Sequence, residues 1–161
     1  MKLVILDRDG VINFDSEHYI KTPAEWLPIP GSLEAIAQLK QKQYKVAIAT
    51  NQSGIARGLY NSDGLASIHA HLQAALKIHQ VELDCIAYCP HQPEDHCICR
   101  KPKPATLQSI AHQLNIDLKD TCFVGDSFTD LQAAFNAQCQ PVLVKTGNGM
   151  QTLQKLEATW N

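Results

Sequence analysis

Five short apolar runs, at residues 2–6, 45–49, 83–88, 121–124 and 141–145, alternate along the chain with stretches of helical periodicity. Runs of four to six residues that are apolar nearly throughout suit strands buried on both faces, which restricts the chain to a parallel sheet covered by helices on either side. The intervening stretches carry Leu33, Ile36, Ala37 and Leu39, then Leu65, Ile68, Leu72, Ala75 and Leu76, then Leu107, Ile110, Ala111 and Leu114, each set spaced to line one helix face. Ser62 is placed as the N-cap of the second helix and Pro104 in the first turn of the third. A shorter helix over 129–136 and a C-terminal one near 152–158 complete the alternation. The pattern predicts an α/β fold, a Rossmann-like doubly wound parallel sheet of about five strands.

A chain of 161 residues without internal repeats or linkers is expected to form a single domain, with an irregular loop inserted at 89–104. Residues 15–30 hold three prolines and little periodicity, so they are read as a surface excursion, a minimal cap at most. The formal net charge of -2 offers no long-range attraction for nucleic acid or anionic membranes, and no apolar stretch approaches the roughly 20 residues a membrane span needs. The expectation is a cytoplasmic monomer acting on a small molecule. Trp26 and Trp160 are read as hydrophobic anchors, and His69, His71 and His79 as surface or boundary residues of the second helix.

In an open parallel sheet, ligands bind beyond the carboxyl ends of the strands. The first run ends in Asp7-Arg8-Asp9-Gly10, the second in Thr50-Asn51-Gln52-Ser53-Gly54, the third in Cys89-Pro90-His91 and the fourth in Gly125-Asp126-Ser127. Asp7 and Asp9 share one side of an extended chain, and two carboxylates so close require a cation. With Asp126 they form an oxygen-rich set suited to Mg²⁺. Beside such an ion one carboxylate can attack phosphorus while its neighbour protonates the leaving oxygen, roles that fit Asp7 and Asp9. Thr50 and the backbone N–H groups after it are placed to hold phosphoryl oxygens, and Lys101 to neutralise their charge.

Cys89, His91, Cys97 and Cys99 form a Cys-x-His-x5-Cys-x-Cys cluster in the inserted loop, a three-thiolate and one-imidazole set suited to structural Zn²⁺. His96 is the competing imidazole. A disulfide framework is disfavoured in the expected compartment, and Cys85, Cys122 and Cys139, in or beside apolar strands, are read as core residues.

Asp7-Arg8-Asp9-Gly10-Val11-Ile12-Asn13, Thr50-Asn51-Gln52, Lys101 and Gly125-Asp126-Ser127-Phe128-Thr129-Asp130 resemble the four motifs of the haloacid dehalogenase superfamily of phosphotransferases. The longer stretches at 50–58 and 89–102 are similar to the heptose-bisphosphate and histidinol-phosphate phosphatases within it. The resemblance implies an aspartyl-phosphate mechanism with Asp7 as nucleophile and Asp9 as general acid and then base. It further implies Mg²⁺ held by the Asp7 side chain, the Asp9 carbonyl and Asp126, and Zn²⁺ in the cysteine loop. By the same likeness Thr50, Asn51, Gln52 and Ser53 line a phosphate pocket, Lys101 pairs the transferred phosphoryl group, Arg100 reaches the substrate and Asp15 belongs to a flap beside the sugar. The implied substrate is a phosphorylated sugar, a heptose 1,7-bisphosphate losing its 7-phosphate; histidinol phosphate is the alternative, and a non-catalytic zinc-loop binding module the alternative of another class. The chain departs from the family pattern at Ser127, where a basic residue is common.

Overall fold

A computed structural model describes residues 2–146, 154 and 155. Five parallel strands, β1 (Leu3–Leu6), β2 (Lys45–Asn51), β3 (Cys85–Cys89), β4 (Thr121–Gly125) and β5 (Gln140–Leu143), form one sheet in the order β3-β2-β1-β4-β5. Four helices connect them: α1 (Ser32–Gln41), α2 (Ser62–Lys77), α3 (Ala105–Leu114) and α4 (Phe128–Asn136). The predicted doubly wound α/β architecture is therefore present. Among the described residues no helix is long and apolar enough to cross a membrane.

Every residue of β1 is buried, because successive side chains feed two separate cores. Val4 and Leu6 pack with Ile36, Leu39, Ile68 and Leu72 under α1 and α2, while Leu3 and Ile5 pack with Leu107, Ile110, Ala133 and Ala134 under α3 and α4. β1 pairs with β2 on one side and β4 on the other, Leu6 lying opposite both Ile48 and Val124. The connections diverge at this central strand, which opens a crevice beyond its carboxyl end.

Several boundaries differ from expectation for identifiable reasons. β2 runs to Asn51 rather than 49 because Thr50 and Asn51 pair with Tyr88 and Cys89. β3 starts at Cys85 rather than 83 because Asp84 turns its carboxylate onto the Val46 N–H, 2.8 Å away. The N-cap of α2 is Asn61, whose side chain accepts from Gly64 N–H at 2.8 Å, and Ser62 is the first helical residue. Pro104 stands at the N-cap of α3, and Ser127 caps α4, which begins one residue before the expected 129. Of the expected C-terminal helix only residues 154 and 155 are described, and both are helical; Trp160 lies outside the described residues. The 15–30 excursion is fastened by the buried side chains of Ile20, Trp26 and Ile29, with Trp26 edge-on to His71.

Asp84 also accepts from Lys40 at 2.6 Å and Lys45 at 3.3 Å, joining the end of α1 to the start of β2 and the approach to β3. Burial pushes its carboxyl up, but the Lys40 bond, the Val46 N–H and the two lysine charges together hold it below its ordinary value of 3.8. A depressed folded value stabilises the protein above the ordinary value, and the gain is lost as pH falls through the folded value. Asp84→Asn is expected to cost about 1–2 kcal/mol at pH 7 in denaturant unfolding, the gap from wild type closing below about pH 4.

Candidate active site

The site is built where the four strand ends meet. Asp7 continues β1, its N–H donating to Val124 O of β4 at 2.9 Å, so its carboxylate emerges at the centre of the crevice. Lys101 arrives from the inserted loop with 4% of its surface exposed, and its Nζ donates to Asp7 Oδ1 (3.0 Å), Asp130 Oδ1 (2.8 Å) and Ala49 O (3.0 Å). Three acceptors match the three N–H bonds of an ammonium, so the cation is fully satisfied without water. Its backbone is clamped as well: Lys101 N–H donates to Asn51 Oδ1 at 3.1 Å and Asn51 Nδ2 to Lys101 O at 3.2 Å. Asn51, expected to line the phosphate pocket, uses its amide to seat the lysine.

Asp126 follows β4 and accepts from Thr146 Oγ1 at 2.8 Å. Gly10 passes close beneath it with φ +86°, and a Cβ there would lie 2.1 Å from Asp126 Oδ2. Only glycine tolerates both the backbone angle and the approach. Asp130, in the first turn of α4, accepts at its second oxygen from Ser127 Oγ at 2.9 Å and lies against Gly125. Carboxylate oxygens of Asp7, Asp126 and Asp130 fall within 4.8 Å of one another, a hard-oxygen set that fits a divalent cation. Burial raises the pKa of Asp7, with Lys101 opposing and the charges of Asp130 and Asp9 adding to the rise; burial raises that of Asp126 too, against its bond from Thr146. On Lys101 burial works against the charge, but Asp7 and Asp130 prevail and hold it protonated.

Asp9 meets different neighbours. Its Oδ1 accepts from Arg8 Nε (3.0 Å), Arg8 Nη2 (2.8 Å) and Asn13 Nδ2 (2.9 Å), and its Oδ2 from Gln52 Nε2 (3.1 Å). Gln52 also donates to Thr50 Oγ1 at 2.9 Å, and Tyr60 OH donates to Gln52 Oε1 at 2.6 Å, which fixes which end of the amide faces Asp9. Gln52 thus orients Asp9 besides lining the cavity.

All ten residues expected around the carboxylate site, namely Asp7, Asp9, Asp15, Thr50, Asn51, Gln52, Ser53, Arg100, Lys101 and Asp126, line one cavity of about 310 Å³. Residue-by-residue reading passed over Asp130, Arg8, Asn13 and Tyr60. Asp130 carried a signal, standing three residues after Ser127 where a helix N-terminus is capped; the others were indistinguishable from loop or core residues. His69 was read as a surface or boundary residue and is instead buried, bonded to Arg8.

In the loop, against the expectation that disulfides are disfavoured, Cys89 and Cys99 are disulfide-bonded, and Cys97 Sγ lies 3.6 Å from Cys89 Sγ and 3.8 Å from Cys99 Sγ. The three sulfurs meet as expected from the spacing. His91 does not join them: its Nδ1 lies 3.7 Å from Asp95 Oδ2, because a 3-10 turn at Pro93–Asp95 brings that carboxylate to it. His91 O instead accepts from Arg100 Nη1 at 3.2 Å. Cys122 and Cys139 are core residues as read, on opposite faces of the sheet, and Cys85, partly exposed, packs against the core that holds Cys139 and bonds Gln113.

A family model described as haloacid dehalogenase-like hydrolase matches residues 11–138. The chain belongs to this family. Among haloacid dehalogenase-like hydrolases it is 57% identical, over 96% of its length and 89% of the relative, to the D-glycero-beta-D-manno-heptose-1,7-bisphosphate 7-phosphatase of Pseudomonas putida. It is 56% identical, over 95% of its length and 86% of the relative, to the enzyme of that name from Pseudomonas aeruginosa. The crystal structure of D,D-heptose 1,7-bisphosphate phosphatase from B. bronchiseptica, complexed with magnesium and phosphate, superposes with a TM-score of 0.88 at 51% identity, over 96% of this chain and 87% of that one.

Gly10→Ala is expected to displace Asp126 while leaving the sheet intact, weakening any divalent-cation binding at the Asp7, Asp126 and Asp130 set by at least about tenfold in calorimetric titration with Mg²⁺, with a loss of roughly 1–2 kcal/mol in stability from the left-handed backbone.

Proposed function

We propose that the chain is a Mg²⁺-dependent phosphatase that removes the 7-phosphate of D-glycero-β-D-manno-heptose 1,7-bisphosphate. The observation that carries the proposal is the joint one: relatives of that activity match nearly the whole chain above half identity, and one cavity gathers Asp7, Asp9, Lys101 and Asp126 around a point a phosphoryl group can occupy. The chemistry follows from the surroundings. An oxygen of Asp7 attacks phosphorus, forming an O–P bond as the bond to the C7 oxygen breaks, and Asp9 gives its proton to that leaving oxygen. Water then attacks the aspartyl-phosphate and loses a proton to Asp9, which regenerates Asp7 and frees inorganic phosphate. Mg²⁺, fitted by Asp7, Asp126 and the Asp9 carbonyl, neutralises carboxylate and phosphoryl charge when bound. Lys101, held on four sides, contributes a fixed positive charge that needs no reorganisation as charge develops. Asp15 and Ser53 border the open side, where the sugar enters. Arg100 offers a planar cation for the second phosphate, which favours a bisphosphate over histidinol phosphate.

The test is phosphate release with Mg²⁺ from the two anomers of the bisphosphate and from histidinol phosphate. The β anomer is expected to give the highest kcat/KM by on the order of tenfold or more. Histidinol phosphate as the better substrate would overturn the assignment. Asp7→Asn is expected to lower kcat by at least about 10³-fold with fold intact, measured on the same substrate.

The three sulfurs of the loop fit a soft-ligand ion once the Cys89–Cys99 bond is reduced, and we propose a structural Zn²⁺ for that reduced state, with His91 as fourth donor once it leaves Asp95. A Cys89–Cys99 bond excludes that ion, since the metal takes thiolates. Lys101 is anchored independently by Asn51, whereas Arg100 depends on the loop, through His91 O. Replacing Cys97 and Cys99 by Ser is therefore expected to raise KM several-fold (about 5-fold) with kcat changed less than about twofold, read by steady-state kinetics beside a zinc assay.

A further inference from the structure

The Arg8 side chain is fully buried behind Asp9, directly beneath the catalytic cavity. Its Nε and Nη2 converge on Asp9 Oδ1, and its Nη1 meets His69 Nε2 at 3.3 Å. Among the described residues the guanidinium has no other partner, so His69 supplies the acceptor for the nitrogen that Asp9 does not engage. Helix α2 otherwise turns Leu65, Ile68, Leu72 and Leu76 to the core. An imidazole in that row carries a desolvation cost that an aliphatic residue avoids, unless it makes a hydrogen bond there. The ring is neutral: burial pushes its pKa down to about 4, and the Arg8 charge acts in the same direction against a smaller pull from Asp9. A neutral ring accepting at Nε2 carries its proton on Nδ1, so only one tautomer serves Arg8.

We propose that His69 is a positioning residue for the general acid: by seating Nη1 of Arg8 it fixes the guanidinium, which keeps Oδ1 of Asp9 engaged and leaves Oδ2 for proton transfer. Oδ1 takes three N–H donors and Oδ2 one, so the transferable proton resides on Oδ2 only while Arg8 holds its place. If Arg8 swings away, the two oxygens become equivalent and the productive orientation is diluted.

The inference rests on Asp9 being the acid, and leaving-group dependence separates the two. An alkyl phosphate such as the heptose bisphosphate needs its leaving oxygen protonated, whereas p-nitrophenolate leaves unaided. With Mg²⁺ present, His69→Leu is expected to lose on the order of tenfold in kcat/KM on the heptose substrate and less than about twofold on p-nitrophenyl phosphate. His69→Gln, which keeps an acceptor at similar reach, is expected to return the heptose value to within about threefold of wild type. His69→Asn, polar but too short to reach Arg8, carries the test if the leucine variant does not fold. Equal losses on both substrates, or failure of glutamine to restore what leucine removes, would overturn the proposal. Asp9→Asn is measured alongside. A leaving-group effect in Asp9→Asn that is absent in the His69 variants sinks this inference alone; no such effect in Asp9→Asn sinks the acid assignment with it.

Discussion

The ammonium of Lys101 is the point on which the rest of the site depends. It joins the end of β1 through Asp7, the end of β2 through Ala49 O and the start of α4 through Asp130, while its own backbone is tied to Asn51. Four segments distant in sequence are held to one charge. Desolvating an ammonium and two carboxylates is expensive, and removing one partner of such a cluster typically costs about 3–5 kcal/mol because the others are left uncompensated. The cluster is therefore retained for what it positions rather than for net stability. With Asp7, Asp126 and Asp130 crowded together, a single lysine does not balance the negative charge, and the surplus is the electrostatic reason the site fits a divalent cation.

Much of this was legible in the sequence because it depends on period and position. A strand buried on both faces must read as an apolar run, and residues that follow such runs must meet at one sheet edge, so Asp7, Thr50 and Asp126 could be placed together. The cysteine spacing likewise brought three sulfurs into contact. What escaped depends on individual hydrogen bonds. Asn51 is placed in the phosphate pocket by its likeness to the family's second motif, and nothing local shows that its amide faces the backbone of a residue 50 positions on. His91 matched the metal pattern, but the 3-10 turn that delivers Asp95 to it is decided by Pro93. His69 lies on a helix whose apolar stripe is regular without it, so its burial registers only once Arg8 is seen beneath. The misplaced starts of β3 and α2 share one cause: Asp84 and Asn61 substitute side-chain oxygens for backbone partners, starting elements where hydrophobicity gives no sign.

Asp7 and Asp9 are two residues apart and chemically identical, yet the fold gives them opposite surroundings. Asp7 faces a lysine on one oxygen and other carboxylates beyond it, an environment that demands a counter-ion and leaves an oxygen directed at the phosphoryl site. Asp9 bonds only N–H donors, from a guanidinium and two amides, two of them oriented in turn by a residue behind: His69 behind Arg8, Tyr60 behind Gln52. A nucleophile must remain ionised and exposed to phosphorus, whereas an acid must present one defined oxygen to the leaving group and recover its proton from water. Environments that differ in this way divide the two roles between like groups. The division is set outside the cavity: Gly10 lets Asp126 approach beside Asp7, and α2 brings an acceptor to the far side of Arg8. Loops alone would hold neither arrangement. The sheet supplies the fixed distances, and the helices packed on it supply the second layer that sets two like aspartates apart, one for the proposed nucleophile and one for the proposed acid.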